Sequence, residues 1–162
     1  MISNKPNQEV LDEMMRVAES IFGTRNDPNQ MPITMDSWNK LQKLNENCVL
    51  YEEENGKLIS WVVVVPTTKD IVNDFLADKI TERELLEKTL PDQNYSALYL
   101  CSAITIPEFR KQGHAKKLTL EAIARIPLTT DATLFAWPFT EDGKLALQKI
   151  NSELNKKILI KT

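Results

Sequence analysis

The sequence predicts a single α/β domain over residues 1–162, and three observations carry that expectation. A hairpin signal centres on Asn55-Gly56, two strand-length runs are apolar on both faces, and the other apolar residues recur at helical spacing. At 162 residues the chain suits one domain better than two. A chain this long buries enough surface to need no disulfide staples.

Taken in order, Val10, Leu11, Met14, Ala18, Ile21 and Phe22 share one helical face, so a helix is expected from Val10 to Phe22, ended by Gly23. Asn26, Pro28 and Pro32 mark a loop running to Met35. Trp38, Leu41 and Leu44 mark a short second helix, and core filling is the expected role of Met14, Met15, Met31 and Met35. Cys48 to Glu54 and Lys57 to Val65 then flank Asn55-Gly56, a dipeptide that accepts positive φ at both centres of a tight turn. The second arm is apolar on both faces, as in a strand covered on both sides, and Pro66 is expected to stop it.

Two short helices are expected as a surface insert between Asp70 and Leu90. Asp70 is the expected cap of the first, whose face is Ile71, Phe75 and Leu76, and Thr81 and Glu84 have capping-box spacing for the second. A long strand follows from Tyr95 to Ile106, then a loop from Pro107 to Gly113 and a helix from His114 to Ile126 ended by Pro127. Ala132 to Trp137 reads as strand, Glu141 to Leu154 as helix and Lys157 to Ile160 as a last strand.

Composition narrows the function. A net charge of −3 argues against nucleic-acid binding, which needs a basic surface. No apolar run approaches the length of a membrane-spanning helix, and the N-terminus lacks the pattern of a secretory signal, so the cytoplasm is the expected location. Cys48 and Cys101 lie far apart in apolar stretches and are expected as buried thiols. One histidine and two cysteines make no metal-ligand spacing, and a hydrolytic triad would have to use His114.

His114 sits at a junction with chemistry of its own. Ile104 to Ala115 is a strand stopped by a proline, a basic loop, a glycine and the start of a helix. A helix's first turn holds backbone N–H groups without internal partners, and its dipole adds about half a positive charge there. Gly113 is one of only four glycines, and it removes a side chain that would keep an anion from those groups. Ala115 keeps the next turn slim, while Arg110, Lys111, Lys116 and Lys117 add charge around the rim. Such a junction suits a phosphate. On these grounds alone, a plain turn with solvated lysines stands beside it.

The stretch Ala103 to Leu118, with Pro107 after the strand and Arg110-Lys111-Gln112-Gly113-His114-Ala115 opening the helix, resembles motif A of the GCN5-related N-acetyltransferase superfamily. The element order over most of the chain is similar to that family's. The resemblance implies a mixed, largely antiparallel central sheet flanked by helices on both faces. It implies an acyl-CoA-dependent N-acyltransferase, with acetyl-CoA as co-substrate and a primary amine, on a small molecule or protein, as acceptor; a homodimer is an expected assembly. Residues implied for the cofactor are Ala103, Ile104 and Thr105 along the pantetheine arm, and Lys111, Gln112, Gly113, His114, Ala115 and Lys116 around the diphosphate. His114 is expected to contribute its backbone N–H and to lie exposed on the rim. A non-catalytic acyl-CoA-binding or sensing domain is the alternative.

Departures from the family pattern leave the catalytic groups unassigned. Ile150 occupies the position of a tyrosine acid, Gly143 that of an asparagine, and Ser96, Ala97 and Leu98 the place of a glutamate base. No first strand is apparent before the Val10 helix, and the tail after Leu154 is short for a closing pair. Tyr95, Tyr99, Glu54, Asp131 and Glu141 are the remaining candidates for moving a proton.

Overall fold

A computed structural model describes residues 1–22, 29–32, 34–138 and 141–162; the expected cap at Gly23 and the loop residues Asn26 and Pro28 lie outside the described residues. The sheet has six strands in the order β1-β2-β3-β4-β5-β6. They are β1 (Ile2–Ser3), β2 (Val49–Glu54), β3 (Lys57–Thr67), β4 (Ala97–Thr105), β5 (Thr133–Ala136) and β6 (Ile158–Ile160). The pairings from β1 to β4 are antiparallel, and β4–β5 and β5–β6 are parallel. This is the mixed, largely antiparallel sheet that was expected.

The helices are α1 (Gln8–Phe22), α2 (Met35–Leu44), α3 (Lys69–Leu76), α4 (Glu82–Lys88), α5 (His114–Arg125) and α6 (Glu141–Leu154). They cover both faces. Trp61 and Val63 of β3 meet Leu11 and Met14 of α1 and Leu41 of α2 around a cavity of about 30 Å³. That space holds about one water, so Met14 and Met31 beside it fill core, as expected, whereas Met35, expected there too, stands 43% exposed at the start of α2. Further along the same face, Phe75 of α3 packs edge-on against Tyr99 and Phe135 at 5.2 and 6.0 Å. On the opposite face α5 lies over β3 and β4, burying Leu118, Thr119, Ala122 and Ile126 as the helical spacing predicts.

Four local expectations need correcting. β1 exists, short as it is, because Ile2 and Ser3 pair with Glu52 and Tyr51. Pro66 does not end β3, which continues to Thr67. Thr67 turns its carbonyl to β4, where Ser96 N–H meets it at 3.0 Å, so Pro66 faces the other edge. β2 stops short of that edge, its last bond being Val64 N–H to the Cys48 carbonyl, and no ladder donor is missing. Thr68, not Asp70, is the N-cap of α3, with Asp70 in the first turn. The α3–α4 segment is also no mere surface insert, since Phe75, Glu82 and Leu85 are buried. Glu82 takes the Tyr99 hydroxyl at 2.5 Å and the Met31 N–H at 2.8 Å.

The hairpin and the capping box stand as read. Asn55 and Gly56 have φ of 51° and 77°, and Thr81 and Glu84 bond each other's backbone reciprocally. Both cysteines are free thiols. Among the described residues no helix is long and apolar enough to cross a membrane, and no cluster of His, Cys, Asp and Glu could hold a metal ion.

Candidate functional site

Strand β4 outruns its neighbour. Its pairing with β5 ends at Leu100–Ala136, whereas its pairing with β3 continues to Thr105. A register shift occurs there, since Val64 opposes Leu100 and Val63 opposes Ser102, leaving Cys101 as a bulge. Among the described residues no strand lies beside Cys101–Thr105 on the β5 side. The Ile106 N–H bonds the Ile59 carbonyl, and by alternation Ile104 also faces β3, its carbonyl taking the Ser60 hydroxyl at 2.8 Å. Ala103 and Thr105 therefore turn their backbone groups to the open edge. An extended chain with amide groups has a ladder to join there.

At the end of this edge the backbone turns sharply into α5. Pro107–Phe109 forms a single 3-10 turn, after which Lys111 and Gly113 take left-handed φ of 65° and 82°. Gly113 is the N-cap and has no side chain to satisfy the helix. The first bond of α5 runs from the Lys117 N–H to the Gly113 carbonyl at 3.0 Å, so the amides of His114, Ala115 and Lys116 lack helical partners. A Cβ built on Gly113 would meet nothing within 4 Å. Open space therefore faces donors at a positive helix end, a geometry that attracts anions. Gln112 and Lys111 are exposed beside it.

The rim is less basic than the sequence suggested. Lys117 is bonded at 2.7 Å to Glu52 of β2, Lys116 pairs with Glu153 of α6 at 3.2 Å, and Arg110 Nε donates to the Thr105 carbonyl at 3.2 Å. His114 is not an exposed rim residue either. Its side chain is 18% exposed, with Nδ1 3.2 Å from Glu52 Oε1 and its ring edge-on to Phe109. Glu52 itself is buried; burial alone would push its pKa up, but the bonds from Lys117 and His114 outweigh it and hold the carboxyl below the usual range. No sequence signal marked Glu52, because it lies 62 residues from His114 and meets it only across the folded sheet.

Beyond Lys116, an open groove of about 580 Å³ runs along α6, lined also by Leu145, Gln148, Lys149, Ser152 and Glu153. These α6 residues were also missed, their spacing being that of any solvated helix face.

The proton-moving candidates do not converge on the β4–β5 opening. Ile150, at the tyrosine position, is 2% exposed in the core. Tyr95 donates to the Leu90 carbonyl, Asp131 pairs with Lys69, Glu141 pairs with Lys144, and Glu54 is exposed at the hairpin end. Tyr99 is buried against Glu82, and burial together with that carboxylate's charge pushes its hydroxyl well above the usual pKa.

The α/β architecture, with its six-stranded mixed sheet between helices, matches the GCN5-related type of fold of a solved N-acetyltransferase. In particular, the chain is similar to a solved structure of the aminoglycoside N-acetyltransferase AAC(6')-Iy in complex with CoA, with a TM-score of 0.54 and 11% identity over 97% of this chain and 87% of that one. An N-acetyltransferase from Staphylococcus aureus Mu50 aligns with a TM-score of 0.38 and 13% identity over 76% of this chain and 75% of that one. No family model and no curated protein sequence matches the chain.

Proposed function

We propose that this protein is an acyl-CoA-dependent N-acyltransferase that moves an acetyl group from acetyl-CoA to a primary amine by direct attack. The observation that carries this reading is the continuity of the open β4 edge with the bare amides of α5. The amides of Gln112, Gly113, His114 and Ala115 would hold the diphosphate, with Lys111 and Lys116 at its sides. Ala103 and Thr105 would pair with the pantetheine amides, while the Ile104 side chain, 3% exposed, anchors the strand beneath. Lys149 and Ser152 would meet the nucleotide end in the α6 groove.

That pose brings the thioester to the fork at Cys101. The amine nitrogen bonds the carbonyl carbon, the carbon–sulfur bond breaks, and the thiolate leaves with the electron pair. A backbone N–H at the fork would stabilise the oxyanion formed on the way. Positioning supplies much of the acceleration, and the proton leaving the amine passes to water. A non-catalytic acyl-CoA-binding domain is the second reading, favoured by the buried Ile150.

Calorimetry with acetyl-CoA tests the site, and free-thiol release across a panel of amines distinguishes the two readings. Gly113→Glu and Gly113→Gln make the test specific. Both carry the same strain of about 1–2 kcal/mol at positive φ, but only the glutamate adds negative charge to the seat. We expect the glutamine variant to retain weakened binding and the glutamate variant to lose it. Equal affinity in both would remove the site from this loop.

A further inference from the structure

A buried carboxylate beneath a seat for an anion requires a reason. Glu52 belongs to β2, two strands away from β4 in sheet order, yet its side chain reaches the first turn of α5 and is only 8% exposed. Oε2 takes the Lys117 ammonium and Oε1 faces His114 Nδ1. Glu52 and Lys117 therefore cancel each other's charge. Of the other charged groups around the imidazole, Arg110 is tied to the Thr105 carbonyl and Lys116 is paired with Glu153. Glu108 and Lys111 are exposed on the loop, and Phe109 presents an apolar ring. Neutral at its base, the seat has one further group that can take up a proton, the His114 ring, which Glu52 already fixes in place.

We infer that Glu52 is a positioning residue that makes the seat proton-linked, so that the diphosphate of an acyl-CoA binds together with a proton on His114. This rests on the functional reading above and deepens it. Glu52 serves twice: it holds Lys117 away from the ligand, and it orients an imidazole whose second proton appears with the anion. A proton taken up with the ligand makes affinity fall as pH rises, by at most about tenfold per pH unit for one linked proton. An electrostatic seat built from lysines alone would show no such dependence, because lysine stays charged throughout.

The 3′-phosphate of coenzyme A itself loses a proton near a pH of about 6, so the variants, not the wild-type curve alone, carry the test. Acetyl-CoA is titrated calorimetrically into the full chain from about pH 5.5 to about pH 8, in buffers of different ionisation enthalpy that report proton uptake. Wild type should take up part of a proton near neutrality. His114→Gln keeps the backbone amide and should bind with the uptake lost and a flatter pH slope. Glu52→Gln should lose most of the uptake as well, and should bind several-fold tighter near the top of the range because Lys117 is released. Identical uptake and slope in wild type and His114→Gln would overturn this inference while leaving the functional reading intact. Wild-type protein that binds no acetyl-CoA at any pH would overturn both.

Discussion

Cys48 and Cys101 are poor nucleophiles in this fold. Burial pushes the Cys48 thiol up to about 12, a backbone bond from Asn45 offsetting only part of it. Burial, then the charge of Glu82, raises Cys101 well above its usual value. Thiolate is the reactive species. From 9.0 to about 12 is 3 units, so near neutral pH native Cys48 should label with a thiol reagent about a thousandfold more slowly than a free thiol. Denaturant should release both sites, and fast labelling of the native protein would contradict this burial. The burial of Cys48 was legible in the sequence because it sits in an apolar strand pattern, whereas Cys101, expected to be buried too, is half-buried at the fork. Motif residues 110–115 were legible too, since a glycine before a helix leaves a local trace. Glu52 was not. Its role depends on β2 lying near α5, and no spacing along the chain encodes that distance. His114 was misplaced for the same reason, its rim position following from the motif and its burial from Glu52.

At the level of elements, hydrophobic period and turn chemistry placed both central strands, the tight hairpin and the α6 boundaries. What failed did so where tertiary context decides. β1 is two residues long and exists only because β2 offers it an edge. Pro66 is tolerated in β3 because β2 has already ended on that side. The charges of α4 suggested a solvated helix, yet Glu82 is its buried tie to Tyr99 and Met31. The start of α4 should therefore matter beyond its own length. Thr81 Oγ1 accepts the Glu84 N–H at 3.1 Å, and Glu84 returns a bond to the Thr81 N–H at 3.2 Å. Thr81→Ala removes the first and should cost about 1 kcal/mol. Thr81→Ser should restore most of it. Denaturant midpoints of the two variants check this, and equal midpoints would show that tertiary packing alone holds the helix.

Across the whole molecule, α5 is joined to β2, β3 and β4, and Glu52 is its polar link to the far side of the sheet. The sign of its effect on stability follows from its pKa. The folded carboxyl lies below its ordinary value of 4.5, so folding favours the charged form. That stability is complete above the ordinary value and is lost as pH falls through the lowered one. Glu13 and Asp131 are lowered as well, by bonds to Arg16 and Lys69 respectively, but those pairs stand largely in solvent and contribute little. Glu52→Gln should therefore destabilise the protein near neutral pH by about 1–3 kcal/mol, the scale of a buried bond to a charged group. The gap between variant and wild type should close as the pH falls below the carboxylate range. Urea unfolding at a series of pH values measures the gap. Hydrogen exchange locates it: amides 117–120, the first bonded ones of α5, should open faster in the variant, while those of β3 and β4 keep their protection. A gap that persists at low pH, or exchange that accelerates evenly over the sheet, would mean that Glu52 acts by packing and not by charge.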